Sequence, residues 1–335
     1  MKRLRLLIYI LIGVALLILP SYASNHILMT LIAALSLSYL SQCWNLVGGY
    51  TGQLSLGHSI FYGAGGYTST MLLVKCGLTP WVGMFAGGIF AALLAFLIGG
   101  LIFRYKIRGI YFALVTIAFS EIARGIANNL EFINSSVGIL LPLENDPSRF
   151  FFFDRTSYYY IALVMVAVMA ALTYLIERSS LGYYLIAIRE NEEAALASGV
   201  NAYKYKTEIF CISAFFTALG GTFYAQLMLF ISPDILFGLN NTNNMLLGTM
   251  IGGMGTLLGP ILGSTIFTLI GELLRSISFG QGAQAVTVTS AVYGTMLIIV
   301  ALYLPRGIID ARHKILKSGV GKALVSLLRR RESGI

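Results

Sequence analysis

Ten apolar runs follow one another along this chain, near residues 4–20, 26–47, 54–74, 81–103, 109–130, 158–177, 205–230, 243–255, 257–275 and 285–304. A helix needs about 20 apolar residues to span the hydrocarbon core of a bilayer. Most of the runs reach that length, while the pieces at 243–255 and 257–275 are shorter. Only 11% of the 335 residues are charged, against about 25% in soluble domains. Mean hydropathy is +0.80. A chain this apolar cannot cover a water-facing surface, so lipid is its solvent. The expectation is an all-α integral membrane protein with about ten transmembrane helices. Its membrane domain covers 1–310 as two related halves, about 1–150 and 151–310, followed by a basic tail at 311–335.

The net charge of +9 invites a nucleic-acid reading, which the placement of the charges argues against. Cytoplasmic loops are enriched in Lys and Arg. With the N-terminus inside, ten crossings put four segments on that side: the start (Lys2, Arg3, Arg5), the 104–108 turn (Arg104, Lys106, Arg108), the 178–206 segment (Arg178, Arg189, Lys204, Lys206) and the tail after Leu304. Together they hold 18 of the 23 lysines and arginines. The 131–157 loop falls outside, with Glu131, Glu144, Asp146 and Asp154 against Arg149 and Arg155. Both termini are therefore expected in the cytoplasm, and the basic character follows from topology. The start also resembles a signal peptide, with Ser21-Tyr22-Ala23 like a cleavage site. Because so many spans follow, an uncleaved first helix is expected.

Cys43, Cys76 and Cys211 lie far apart, as do His26, His58 and His313. The spacing supports neither a disulfide framework nor a metal site. No phosphate loop, nucleophile elbow or zinc pair is found. Gly319-Val-Gly-Lys322 is followed by Ala323 and lacks the phosphate-loop spacing. Catalytic residues, metal and cofactor are not expected, and ATP, if used, is hydrolysed by another polypeptide.

Two glycine-rich stretches interrupt the apolar runs. The first, Gly48-Gly49-Tyr50-Thr51-Gly52-Gln53-Leu54-Ser55-Leu56-Gly57-His58, mixes glycine with hydroxyl and amide side chains. The second runs from Gly248 through Gly252, Gly253, Gly255 and Gly259 to Gly263. Interrupted, Gly-rich hydrophobic segments at matching places in two halves point to a transport pathway. Non-helical backbone at membrane depth survives only where protein or a water-filled cavity satisfies it. Gly49, Thr51, Gln53, Ser55, His58, Gly252, Gly253 and Gly255 are thus pathway candidates. Equally, the four-residue spacing of Gly255, Gly259 and Gly263 suits close helix packing, and both readings hold together. For His58, a polar helix contact is favoured over a proton relay.

Glu121 and Arg124 lie three apart on one face of the fifth span. Charges at membrane depth are expensive and pair or mark a pathway. A local ion pair is the simpler role, and contact with a passing solute the alternative. Glu208 and Glu272 lie nearer span ends, where interfacial solvation suffices.

Inside the 178–206 segment, Arg189-Glu190-Asn191-Glu192-Glu193-Ala194-Ala195 leads to Gly199. Asn191 suits a helix N-cap, Glu192 and Glu193 its positive first turn, and Gly199 its end. A connector of nearly thirty residues with its own helix is more than a linker, and docking of a partner is expected here.

Four stretches resemble the branched-chain amino acid ABC transporter permeases of the LivM type. They are Gly49-Tyr-Thr-Gly-Gln-Leu-Ser-Leu-Gly-His58, Arg108 to Arg124, Ala187 to Val200 and Gly252 to Gly263, in the family's order from about residue 30 to 310. The resemblance implies a type II-like importer permease of the bacterial inner membrane. It also implies a second, similar permease, two ABC ATPase subunits and a solute-binding protein as partners, with 178–206 holding the helix that fits into an ATPase. Glu193-Ala194-Ala195-x-x-x-Gly199 is similar to the EAA loop of ABC permeases, but the hydrophobic-x-Leu-Pro ending is missing. The implied cycle is alternating access, with a small branched apolar zwitterion as cargo and tight selection in the binding protein. Related permeases handle urea or short amides. An ATP-independent secondary transporter would place acids or histidines mid-span for ion coupling, and chiefly Glu121 is offered. A membrane enzyme would need a clustered constellation that is not found.

Overall fold

The computed structural model describes residues 16–142, 147–276 and 295. The expected span at 285–304, the tail and most of the span at 4–20 lie outside the described residues.

Five described helices are long and apolar enough to cross a membrane: α1 (Asn25–Gly48), α3 (Pro80–Arg104), α4 (Ile110–Asn129), α5 (Arg155–Arg178) and α8 (Ala202–Met228). Their starts carry local signals. Ser24 accepts from Ile27 N at the head of α1, Pro80 opens α3, Asp154 accepts from Thr156 N before α5, and Asn201 accepts from Lys204 N before α8. Between α3 and α4 lies the expected basic turn. Two shorter helices, α6 (Ser180–Glu190) and α7 (Glu192–Ala197), follow α5. After α8 come the single turn α9 (Pro233–Leu236), α10 (Leu239–Gly252) and α11 (Gly259–Ser276).

The helix expected near 54–74 begins later. Residues 49–58 are non-helical, and α2 runs Ser59–Cys76. Leu56 N donates to Thr116 Oγ1 at 3.1 Å and Ser59 Oγ meets Ser120 Oγ at 2.6 Å. Thr116 and Ser120 lie about 9 to 15 Å along α4 at 1.5 Å per residue. So α2 starts inside the bundle, preceded by irregular chain. The second glycine-rich stretch is likewise broken, with α10 and α11 separated by residues 253–258.

Small residues explain why these helices pack so closely. A Cβ at Gly65 of α2 would overlap the Ala218 carbonyl of α8, and one at Gly221 would overlap that of Tyr62. Between α10 and α11, a Cβ at Gly263 would overlap the Gly248 carbonyl, and one at Gly248 the Ser264 hydroxyl. Without a hydrophobic force between helices in lipid, backbone approach of this kind holds a bundle together. Helix α4 stands further off, leaving an apolar groove of about 800 Å³ against α2 and α3, lined by Tyr67, Leu94, Phe119 and Ile126 among others.

The contacts sort the connections between two ends. Arg108 pairs with Glu192 at 3.2 Å, which brings the 104–108 turn and the 178–206 segment together. At the other end Lys75 donates to the Phe132 carbonyl at 2.7 Å and Trp81 to that of Pro147 at 3.3 Å, gathering the 131–157 loop there. A two-residue antiparallel ladder, β1 (Ile139–Leu140) with β2 (Phe230–Ile231), is an addition to the all-α expectation.

Candidate functional site

The two glycine-rich breaks meet. A Cβ at Gly49 would overlap Gly255 N. Asn45, on the last turn of α1, clamps the second break from the first: its Oδ1 accepts from Gly255 N at 2.8 Å and its Nδ2 donates to the Thr256 carbonyl at 3.1 Å. Arg189, in the last turn of α6, donates from Nη1 to the Gly49 carbonyl at 3.0 Å. Gly49, Gly255 and Arg189, expected in two separate roles, thus share one cluster at the end that carries 104–108 and 178–206. Gly252 and Gly253 lie beside it, buried, with Thr256 Oγ1 donating to the Gly253 carbonyl at 2.8 Å. Tyr50 is buried next to Gly49 and its hydroxyl donates to Glu177 Oε1.

Deeper along the first break, the polar side chains are engaged. Trp44 Nε1 donates to the Ser55 carbonyl at 2.7 Å. Thr51 Oγ1 donates to the Val47 carbonyl at 2.7 Å and accepts from Gln53 N. His58 is fully buried; its Nδ1 lies 2.8 Å from Ser55 Oγ and its Nε2 2.9 Å from Ser213 Oγ of α8. Phe61 and Phe210 set their edges against the ring. His58 is therefore a polar contact pinning the break to α8, as expected. Gln53 Oε1 and both amide atoms of Gln42 are buried with no partner among the described residues.

Glu121 and Arg124 are not part of this cluster. Arg124 Nη2 lies 2.6 Å from Glu121 Oε2 and Nη1 3.2 Å from Asp234 Oδ1 of α9. The side chains are 39% and 41% exposed. The local ion pair forms, with Asp234 as an unforeseen third member.

In the 178–206 segment the short helix forms as expected. Asn191 Oδ1 accepts from Glu193 N and Ala194 N at 3.1 and 3.0 Å, and Gly199 follows with φ of +86°. Glu192 turns inward to Lys206 and Arg108, whereas Glu193, which Arg108 also approaches at 3.8 Å, is 85% exposed. Ala195 packs against Ile188 and Ala202, leaving Glu193, Ala194, Leu196 and Ala197 outward. Glu190 is exposed and pairs with Arg189.

Asn45, Gln42, Tyr50 and Glu177 were not legible as site residues. Gln42 and Asn45 carried a signal in being two amides one turn apart within an apolar helix. No sequence pattern links Tyr50 to Glu177 across 127 positions. Helix α6 was also unread.

Broken helices meeting inside a lipid-facing bundle, next to an exposed helical connector, define a polytopic transport permease. The chain matches the family described as branched-chain amino acid transport system / permease component over residues 26–301 and belongs to it. It is 30% identical over 323 residues to the high-affinity branched-chain amino acid transport system permease protein LivM of Escherichia coli (strain K12), covering 87% of this chain and 72% of that protein. The Salmonella typhimurium LivM is 29% identical, over 83% of this chain and 69% of that one. The ribose import permease protein RbsC of Haemophilus influenzae is 25% identical over 37% of this chain and 39% of its own. No solved structure matches. The protein is a multi-pass membrane permease of the ABC transport type.

Proposed function

We propose that the chain is the permease subunit of an ATP-driven importer that carries branched-chain amino acids across the bacterial inner membrane. It pairs with a second, similar permease, two ABC ATPases and a solute-binding protein. Ten crossings, both termini in the cytoplasm and two related halves divided near residue 150 complete this reading. The similarity to LivM supports the cargo, at 30% identity over 87% of the chain against 24% over 80% for the Escherichia coli AraH. The observation that supports this reading most is the contact between the two glycine-rich breaks, since irregular backbone of this kind is tolerated at membrane depth where protein or a water-filled cavity satisfies it.

In this reading Glu193, Ala194, Leu196 and Ala197 meet an ATPase. Gly49, Thr51, Gln53, Ser55, His58, Gly252, Gly253 and Gly255 hold the shape of the path. Few of them offer a free polar group, so the lining binds its cargo weakly and lets it leave. Glu121 and Arg124 with Asp234 stand apart from the breaks, as a charged rim. Uptake by the whole assembled transporter in liposomes tests this: leucine or valine accumulation that requires ATP supports it. A pentose carried in preference would transfer the chain to the sugar-permease reading that RbsC and the Escherichia coli L-arabinose permease protein AraH, 24% identical over 80% of the chain, represent.

A further inference from the structure

Arg189 sits at the joint between α6 and α7, and it is the residue of that segment whose side chain reaches both glycine-rich breaks. Its Nη1 donates to the Gly49 carbonyl at 3.0 Å. Its Nε and Nη2 hold Glu190 Oε1 at 3.3 and 2.9 Å. The aliphatic stem crosses Gly52, where a Cβ would come within 3.0 Å of Cγ. A Cβ at Gly255 would come within 2.5 Å of Nη1. Gly52 and Gly255 have φ of +68° and +70°, a region that side chains resist. The guanidinium thus lies in a cradle of backbone drawn from both breaks, and Asn45 links the walls of that cradle to α1.

The neighbouring charges do other things. Glu192 is held by Lys206 and Arg108 and Glu193 faces out; neither touches a break. A cation at a helix C-terminus is favoured by the helix dipole wherever it points, but that does not account for a donor placed on Gly49 or a glycine cradle around it. From this geometry we propose that Arg189 transmits displacement of the docking segment into the two glycine-rich breaks. It acts as a positioning residue of the transport cycle rather than as part of the ATPase-facing surface. This rests on the importer reading above.

The full transporter with its ATPases and binding protein, in liposomes, tests the assignment through three readings: ATPase subunits retained on purification, ATP hydrolysed, and solute taken up per ATP. Arg189→Met keeps the length and removes the donors. It is expected to retain the ATPases while uptake per ATP falls by at least about tenfold, as loss of a charge-assisted hydrogen bond implies. Arg189→Lys restores part of the loss, since one charged donor cannot serve Gly49 and Glu190 together. Gly255→Ala crowds Nη1 and the Gly49 carbonyl it donates to without altering the docking segment, and is expected to lower the same ratio; it keeps the test open should Arg189→Met fail to fold. Wild-type uptake per ATP in either Arg189→Met or Gly255→Ala overturns the proposal, as does loss of the ATPases from Arg189→Met. Uptake in the unaltered protein that needs no ATP overturns the importer reading itself, a separate result.

Discussion

Lys206 Nζ lies 2.5 Å from Glu192 Oε2, with the lysine side chain 3% exposed and the glutamate 12%. Arg108 Nε approaches the same oxygen at 3.2 Å. The acid at the head of the short helix α7 is therefore a latch joining it to α8 and to the turn before α4. Taking one partner from a buried pair strands the other, at about 3–5 kcal/mol. Lys206→Met and Glu192→Gln should each lower the stability of the detergent-solubilised protein by about that amount, while Glu193→Gln changes it by less than about 0.5 kcal/mol. Denaturation curves of the three variants compare them directly. Equal effects at Glu192 and Glu193 would contradict the latch.

Reversing the charge at both acids joins the two roles. Glu192→Lys faces Lys206 and Arg108, and Glu193→Lys alters the outward face. The double variant should abolish ATP-driven uptake while still inserting into the membrane, as fractionation and transport assays read. Normal uptake would sink the docking proposal for α7.

His58 is bonded through both ring nitrogens to serines on different segments. His58→Ala removes the partner of Ser55 Oγ, at about 1–3 kcal/mol, while Ser213 Oγ keeps the Cys43 carbonyl. The expected result is a lower melting temperature and reduced folded yield. A variant as stable as the parent would show that the break is not pinned to α8 through this ring.

Such pins show what was legible in the sequence. The apolar runs, the basic connections and the caps at Asn191 and Gly199 depend on composition and near neighbours, so they could be read directly. Both glycine-rich breaks were visible for the same reason, since glycine among apolar residues marks backbone that does something other than continue a helix. That the breaks touch depends on the crossing of α1 with α10 and α11. Asn45 reaching Gly255, 210 positions away, leaves no local trace. The short length of α2 was hidden because residues 54–57 are apolar enough to extend a helix pattern, while their hydrogen bonds go instead to Thr116 and Trp44.

Close packing at Gly248 and Gly263 yields a steric prediction. A Cβ at Gly263 would overlap the Gly248 carbonyl, and one at Gly248 would overlap the Ser264 hydroxyl. Gly263→Ala should cost about 1–3 kcal/mol through overpacking and separate α10 from α11, lowering thermal stability. Unchanged stability would mean that the helices cross less closely than described.

The exposed ion pair offers the opposite case. Glu121 and Arg124 are each about two-fifths exposed, and pairs of that kind contribute about 0–1 kcal/mol. Arg124→Ala should barely alter stability. Exchanging both residues would rescue a purely mutual pair, but here it places a glutamate against Asp234, so rescue should be incomplete. Large loss of uptake in Arg124→Ala without loss of stability assigns the pair a direct role in the path, whereas full rescue on exchange would exclude Asp234 from it.

The central claim is that this chain forms the membrane path of an ATP-driven amino acid importer. It is tested most directly by purifying the assembled transporter, sealing it in liposomes with its binding protein, and following labelled leucine in the presence and absence of ATP. Leucine is expected to accumulate against its gradient only when ATP is present on the side bearing the 178–206 segment. Accumulation without ATP, or ATP-driven uptake of a pentose with leucine excluded, would contradict it.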